Sequence, residues 1–153
     1  MTKVINDEII NLGSQKFHYR NYTMLFGSKR GSAGIVELSE IDDQGKENGL
    51  FIRIHYDGDS KSYSETDPLL IGTKKDGELS GTRYLFEDGK LIKVKANDKI
   101  ITPQDTTFLV YEKNAPDFKT SFKLLKNIER SMEGNNKELL VALQKLNADV
   151  RKK

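Results

Sequence analysis

The sequence predicts an α+β protein, with an antiparallel β-barrel or sandwich of about seven strands followed by a C-terminal helical hairpin. Two observations support this fold class. Before Asn114-Ala115-Pro116, turn signals separate short runs of alternating apolar and polar residues. After that point there is no proline, a single glycine and a continuous helical period. We therefore expect a β-rich body over residues 1–115 and a basic helical tail over residues 116–153, packed on the body, on another subunit, or on both.

The first half of the body contains three strand-like runs. Lys16–Phe26 alternates apolar and polar residues and ends at the glycine-rich segment 27–34. Gly34–Ile41 follows, and the Asp- and Gly-containing segment 42–49 closes it. Leu50–Tyr56 has the most regular alternation of the three. Its two faces are expected to hold Leu50, Ile52, Ile54 and Tyr56 on one side and Phe51, Arg53 and His55 on the other.

Asp-Gly pairs punctuate the second half of the body. Both residues tolerate the positive φ angles of a tight hairpin turn. The pairs are Asp57-Gly58, Asp76-Gly77 and Asp88-Gly89. The strand-like runs that follow or flank them are Lys61–Thr66, Leu69–Thr73, Leu79–Phe86, Leu91–Ala96 and Thr106–Glu112. The acidic residues of these turns do not fit the calcium-loop pattern, so we interpret them as backbone-supporting turn residues.

Two apolar stripes run along the tail at helical spacing. The first comprises Phe118, Phe122, Leu125, Ile128 and Met132, and Asp117 or Thr120 can cap its N-terminus. Gly134 then interrupts the pattern. The second stripe comprises Leu139, Leu143, Leu146 and Val150 at heptad spacing. Either the body or a second chain must cover each stripe. Because the first stripe lies nearer to the body, we expect the second to form the interface of a homo-oligomer, with a two-fold dimer as the commonest closed form.

Composition excludes several kinds of chemistry. The 153 residues include no cysteine, which rules out disulfides, cysteine nucleophiles, iron–sulfur clusters and cysteine-ligated zinc. The N-terminus lacks the apolar segment of a signal peptide, and no run approaches the roughly 20 apolar residues of a transmembrane helix. We therefore expect a soluble, cytoplasmic protein without integral membrane association. Lys exceeds Arg and there are many Ile and Asn, which is typical of AT-rich genomes and favours a bacterial or phage source.

The distribution of charge is uneven. The net charge is only +2, but between residues 119 and 153 basic residues clearly outnumber acidic ones. Asymmetry of this kind is typical of contact with nucleic acid or with an acidic protein partner. It is also typical of a solvated helix face, and the sequence leaves both interpretations open.

The first candidate binding site is the loop Gly27–Gly34, which carries Lys29 and Arg30. Backbone N–H groups that converge on an anion, together with neutralising bases, are the features of a phosphate cradle. The loop is neither a Walker loop nor a dinucleotide fingerprint, because segment 35–38 after it is strand-like. It is either a contact for a phosphate of a nucleotide, nucleic acid or lipid, or a flexible hairpin loop with solvated bases.

The second candidate site is formed by alternating residues on two strands. The two sets are His18, Arg20 and Tyr22, and Phe51, Arg53 and His55. If their faces align on one sheet, two arginines, two histidines and two aromatic rings would converge, an arrangement that suits a phosphoester or a flat ring. The alternative is the ordinary polar face of a half-buried sheet. No matched carboxylates accompany the histidines, so we predict neither a metal nor a cofactor.

Three function classes remain, in this order of preference. The first is a non-enzymatic interaction or regulatory protein that acts through its surface and its helical tail. The second is a binder of a small anionic ligand such as a nucleotide. The third is an enzyme that uses His18 or His55, and it comes last because no nucleophile, base and orienting group occur together. Lys93 and Lys95 lie on one face of a strand, and we interpret them as surface or edge-strand charges.

Overall fold

The computed structural model describes residues 2–12, 14–25, 32–57, 63–96, 98–130, 141, 143–146 and 148. The strands are β1 (Thr2–Leu12), β2 (Gln15–Leu25), β3 (Ser32–Ile41), β4 (Glu47–Asp57), β5 (Leu69–Lys75), β6 (Glu78–Glu87), β7 (Lys90–Ala96) and β8 (Lys99–Ile101). They are followed by the helices α1 (Phe108–Asn114) and α2 (Phe118–Arg130). Residues 141, 143–146 and 148 are also helical. The predicted α+β class is confirmed.

The strands form one eight-stranded antiparallel sheet in which each strand pairs with its neighbours in sequence. The sheet is open, with β1 and β8 at its two edges, rather than closed into the predicted barrel or split into a sandwich. Closure would require β1 and β8 to pair, and within the described part of the chain each has a single neighbour. Register irregularities in four of the ladders bend the strands locally.

Two strands of the sheet, β1 and β8, were not indicated by the sequence pattern. In β1 the polar run Asn6-Asp7-Glu8 interrupts the apolar alternation, and β8 has only three residues. Both lie at sheet edges, where one side of the strand is unpaired and where short or charged strands are common. Alternation is therefore a weak guide to both of them.

The run Thr106–Glu112, predicted to be a strand, instead contributes a turn and most of helix α1. The carboxylate of Asp105 accepts a hydrogen bond from the backbone N–H of Thr102 at 2.8 Å, which forms a turn before the helix. The backbone N–H of Phe108 then donates to the carbonyl of Asp105 at 3.1 Å. Phe108 is the buried residue of α1, whereas Val110, which shares its face in a strand, is exposed.

The run Lys61–Thr66, predicted to pair with β4, is also not a strand where the structure describes it. Residues 58–62 lie outside the described residues, and residues 64–67 form a turn in which the backbone N–H of Asp67 donates to the carbonyl of Ser64 at 3.1 Å. The carboxylate of Asp67 accepts a hydrogen bond from the backbone N–H of Ser64 at 2.7 Å and holds that turn. The strand that pairs with β4 on this side is β5.

Two of the predicted Asp-Gly turns are confirmed. Asp76 and Gly77 have φ values of 51° and 84°, and Asp88 and Gly89 have values of 54° and 76°. Positive φ at both central residues is the requirement of a type I′ hairpin turn. These turns connect β5 to β6 and β6 to β7, and they bring the strands that carry the site into contact.

The core lies between one face of the sheet and the helices. A row of directly opposed residues crosses the sheet on that face: Tyr19, Leu38, Ile52, Ile71, Tyr84, Val94 and Ile101. From α2, the predicted stripe residues Phe118, Phe122, Leu125 and Ile128 are buried in the same cluster. Asp117 caps α2, because its carboxylate accepts hydrogen bonds from the backbone N–H and the hydroxyl of Thr120 at 3.0 and 2.6 Å.

Candidate functional site

The residues that alternate with the core residues form a second face of the sheet, which we call the polar face. In the order of the strands it contains His18, Arg20 and Tyr22; Ile35, Glu37 and Ser39; Phe51, Arg53 and His55; Leu70, Gly72 and Lys74; Arg83 and Leu85; Lys93 and Lys95; and Ile100. The ladders align many of them in rows, of which one runs Arg20, Glu37, Arg53, Leu70, Leu85 and Lys93.

Both sets of predicted binding residues lie on the polar face, but they do not meet directly. β2 and β4 are separated by β3, which places Ser39, Glu37 and Ile35 between them. These three residues and the two predicted sets form a nine-residue patch. Its middle residue is Glu37, which lies directly opposite Arg20 on one side and Arg53 on the other. The central position of the predicted anion site is therefore occupied by the protein's own carboxylate.

Glu37 forms an ion pair with both arginines. Its side chain is almost completely buried, with the residue 1% exposed. One carboxylate oxygen, Oε1, lies 2.8 Å from Nη2 of Arg20, and the other, Oε2, lies 2.8 Å from Nη2 of Arg53. The Tyr22 hydroxyl also donates to Oε1 at 3.5 Å, and burial followed by the charge of Glu37 raises the pKa of Tyr22. The two guanidinium groups are held in place by one shared carboxylate, which offsets part of their positive charge.

Phe51 extends this network toward β5. Its ring is fully buried although it does not belong to the core cluster, because cationic side chains cover it. The Arg53 guanidinium carbon lies 4.9 Å from the ring centroid and Lys74 Nζ lies 4.2 Å from it. Lys74 Nζ also donates to Glu47 Oε1 at 2.9 Å. Lys74 is therefore paired, like both arginines.

The two histidines lie at opposite corners of the patch. His18 is opposite Ser39 and pairs with the carboxylate of Asp7 on β1, whereas His55 is opposite Ile35 at the other end. Two strand spacings and four residues of strand separate them, which corresponds to about 16 Å. Partial desolvation and then the charge of Arg53 lower the pKa of His55. The histidines are thus too far apart to act on one small group together.

The predicted loop site lies mostly outside the described residues. Residues 26–31, which include Lys29 and Arg30, are among those the structure does not describe. Gly34 at the end of the loop belongs to β3 and is buried. A Cβ at this position would overlap the ring of Tyr56 on β4, so Gly34 permits a close approach of that ring to the backbone.

The predicted interface stripe is described at two positions. Leu143 is 1% exposed and Leu146 is 0% exposed, and both belong to the core cluster of the same chain. Leu139 and Val150 lie outside the described residues. The two described leucines of the stripe are therefore covered within the monomer, and the predicted homo-oligomer does not need them as an exposed seam.

Sequence reasoning missed a basic cavity on the β5–β8 half of the polar face. The cavity has a volume of about 310 Å³ and is lined by Leu70, Arg83, Leu85, Lys93, Lys95 and Ile100. Within the part of the chain that the structure describes, none of its three basic side chains has an ion-pair partner. The Nε–H of Arg83 is buried without a hydrogen-bond partner. The three basic side chains of this half, unlike Arg20, Arg53 and Lys74, have no carboxylate partner among the described residues.

The sequence contains the three basic residues of the cavity, but they come together on one face only because the register of the β6–β7 ladder shifts. A regular ladder from the Glu87–Lys90 pair would place Arg83 opposite Val94, which faces the core. The structure has a bulge after the Phe86–Leu91 pair, so Leu85 lies opposite Lys93 and Arg83 lies opposite Lys95. The buried residues Leu91 and Val94 are three apart in one strand, and that spacing marks the bulge.

Comparison with known proteins identifies no relative: no protein family, no curated protein and no solved structure matches this chain. Across the described residues, no group of three or more His, Asp or Glu side chains is placed to hold a metal ion. None of the described helices is long and apolar enough to cross a bilayer. The function is therefore argued from the polar face itself.

Proposed function

We propose that this protein is a non-enzymatic interaction protein that holds an acidic partner protein on the polar face of its sheet. The observation that carries this proposal is the excess of basic side chains on the β5–β8 half of that face. Arg83, Lys93 and Lys95 have no ion-pair partner among the described residues. Uncompensated positive charge on one face attracts acidic surfaces and raises the rate at which they associate.

The Glu37 half of the face supports the proposal through rigidity. Arg20 and Arg53 are fixed by the same buried carboxylate, and Phe51 lies beneath Arg53 and Lys74. Arginine is among the residues that most often dominate binding energy at interfaces. Because this network is already ordered, a partner that docks across it loses little side-chain entropy from this protein.

The alternative is a small-anion binder, and one observation favours it. The cavity at Arg83 has the size of a small-molecule site, and its buried Nε–H has no partner among the described residues. Catalysis has less support from the geometry. The two histidines are at opposite corners of the patch. His18 lies between the carboxylate of Asp7 and the strand position of Ser39, but Ser39 is only 1% exposed and makes no hydrogen bond to His18, so a substrate has no access to its hydroxyl.

The proposal is tested with poly-L-glutamate as an acidic probe. Fluorescence anisotropy should show binding at low ionic strength that weakens as salt is added, because the contacts are between exposed charges. Lys93→Glu with Lys95→Glu should weaken binding by about tenfold or more, since each reversal turns an attraction into a repulsion. The matched control is Lys119→Glu with Lys123→Glu, which makes the same charge change on α2.

The outcomes separate the partner classes. A loss of affinity confined to the sheet variant supports the proposal. An equal or larger loss in the α2 variant would assign binding to the basic tail and overturn it. A short DNA duplex serves as a second probe, because phosphate contacts give nucleic-acid binding a steep salt dependence. Tighter binding of DNA than of poly-L-glutamate, abolished by the sheet variant, would replace the acidic protein partner with nucleic acid.

A further inference from the structure

We infer that the cavity lined by Arg83, Lys93 and Lys95 is a specific site for a small amphipathic anion, in which one carboxylate or phosphate group is attached to a short apolar group. The inference rests on the proposed function and makes it more specific, because it names the cavity as the place on the polar face where an acidic group of the partner binds. The same chemistry can be presented by a free small molecule or by an acidic side chain beside an apolar one on a partner protein.

The charge of the cavity favours an anion. Arg83 and Lys95 lie directly opposite each other on β6 and β7. Lys93 lies two residues before Lys95 on β7, on the same face of the sheet. Three cations gathered in this way repel one another, and no acidic side chain lines the cavity. The contrast with the other half of the face is direct, since Arg20, Arg53 and Lys74 each have a carboxylate within 2.9 Å.

Arg83 lines the cavity and carries a guanidinium group, which is a planar hydrogen-bond donor. Its Nε is buried and has no acceptor among the described residues. Buried donors in folded proteins are almost always satisfied, so the unpaired N–H indicates that Arg83 lacks an acceptor. A carboxylate or phosphate oxygen is the best acceptor for the planar donor edge of arginine.

The backbone of β5 makes room for this arginine. A Cβ at position 72 would lie 2.9 Å from Cγ of Arg83, which is closer than side chains normally approach. Gly72 has an ordinary negative φ, so glycine is not needed for backbone geometry at this position. The absence of a side chain at Gly72 therefore lets the stem of Arg83 lie against the backbone of β5. Gly72 is a positioning residue for the site.

The remaining lining is apolar. Leu70 and Leu85 lie directly opposite each other, and Ile100 is 59% exposed on the edge strand β8. The volume of about 310 Å³ is at the lower end of the range for small-molecule sites. An anion without an apolar part would leave these side chains in water, whereas a short alkyl or aryl group would cover them.

Protection of the sheet edge does not account for the whole cluster. Lysines near an edge discourage pairing with another sheet, and Lys93 and Lys95 on β7 are close to the short strand β8. Arg83, however, is on β6, an interior strand with a neighbour on each side. Prevention of edge pairing therefore does not explain a partly buried arginine on an interior strand, packed against Gly72.

The test uses the full chain and four probes: hexanoate, hexyl phosphate, acetate and hexylamine. Thermal shift and amide chemical-shift titrations should show saturable binding of hexanoate or hexyl phosphate, centred on β5–β8. Acetate should bind at least about tenfold more weakly because it lacks the apolar group, and hexylamine should not bind. Arg83→Met should weaken binding of the better anion by about tenfold or more, since it removes a charge-assisted hydrogen bond and keeps the apolar stem.

Two further variants keep the test decisive. Gly72→Ala should weaken the same probe by displacing Arg83, and Lys113→Met on α1 should leave binding unchanged. Equal binding of hexanoate by wild type and Arg83→Met, or no saturable binding of either hexyl anion, would overturn the inference. If the cavity site fails these tests, poly-L-glutamate binding still decides the proposed function. The proposed function stands if that binding is lost in the Lys93→Glu, Lys95→Glu variant and retained in Arg83→Met. Competition between hexyl phosphate and poly-L-glutamate would show that free and partner-borne anions share the site.

Discussion

Arg53 and Glu37 lie directly opposite each other on β4 and β3, and two nitrogens of the guanidinium share one oxygen of the carboxylate. Nε and Nη2 of Arg53 each lie 2.8 Å from Oε2 of Glu37. The other oxygen, Oε1, is left for Nη2 of Arg20 at 2.8 Å. One buried carboxylate therefore fixes two cations on two different strands, and its removal should affect both.

Glu37→Gln should lower the free energy of unfolding by roughly 3 kcal/mol, near the lower end of the range for breaking a buried ion pair, because both arginines are partly exposed. The substitution preserves shape and removes the charge between two guanidinium groups. Urea unfolding measures the change, and Glu112→Gln on the exposed side of α1 is the matched control. A loss below about 0.5 kcal/mol would mean that water replaces the carboxylate without cost.

Leu146→Ala should lower the free energy of unfolding by about 2 to 5 kcal/mol, because Leu146 is fully buried in the core of its own chain. Val141→Ala on the same helical segment should change it by no more than about 0.5 kcal/mol, because Val141 is 65% exposed. Light scattering on both variants checks the oligomeric state. A folded Leu143→Asp, Leu146→Asp variant that merely dissociates would contradict the intramolecular packing.

Asp117→Ala should lower the free energy of unfolding by about 1 kcal/mol near neutral pH, because it removes the N-cap of α2. Hydrogen bonding from Thr120 lowers the pKa of Asp117 in the folded state. The stability from the charged cap is therefore present above the unfolded pKa and is lost as the pH falls through the folded pKa. The difference in stability between wild type and Asp117→Ala should begin to shrink as the pH falls below about 4, and the two curves should converge only below the folded pKa. Asp117→Asn keeps a capping oxygen without the charge, so its pH dependence should be flatter than that of wild type.

His55 should give the protein a pH-dependent stability near neutrality. Partial desolvation and the charge of Arg53 lower its folded pKa, so the unfolded chain binds a proton more readily than the folded one. The contribution of neutral His55 is present above about pH 6.5 and declines as the pH falls toward the folded pKa. His55→Gln should flatten the dependence of the unfolding free energy between about pH 7 and pH 5. A slope equal to that of wild type would assign the dependence to other groups.

Local signals in the sequence were sufficient for much of the fold. The Asp-Gly turns at positions 76–77 and 88–89, the alternation of Leu50–Tyr56 and the apolar stripe of α2 each depend on neighbours in sequence. The strand predicted at Thr106–Glu112 was wrong because a side chain outside the run, Asp105, closes the turn that begins the helix. Edge strand β1 was missed because few of its side chains are buried, so its sequence shows little alternation of apolar and polar residues.

The site depended on information that local patterns do not contain. Alternation correctly placed Arg20 on one strand face with His18, and Arg53 on one strand face with His55, but the strand between them was not considered as a source of their partner. Glu37 stands between Val36 and Leu38, where nothing local shows that it pairs with two arginines. The cavity at Arg83 depends on a one-residue bulge in the β6–β7 ladder, which changes every facing pair beyond it.

The up-and-down strand order has a consequence for how the chain reaches this structure. Each ladder joins strands adjacent in sequence, so forming it closes only a short loop and loses little chain entropy. We expect the sheet to form by successive hairpins, faster than a sheet of equal size with crossover connections. The helices must instead return over a long stretch of chain, as when Phe122 packs against Tyr63. Until they do, the apolar side of the new sheet is open to other molecules, so aggregation during folding should depend on how quickly the C-terminal segment is synthesised and docks.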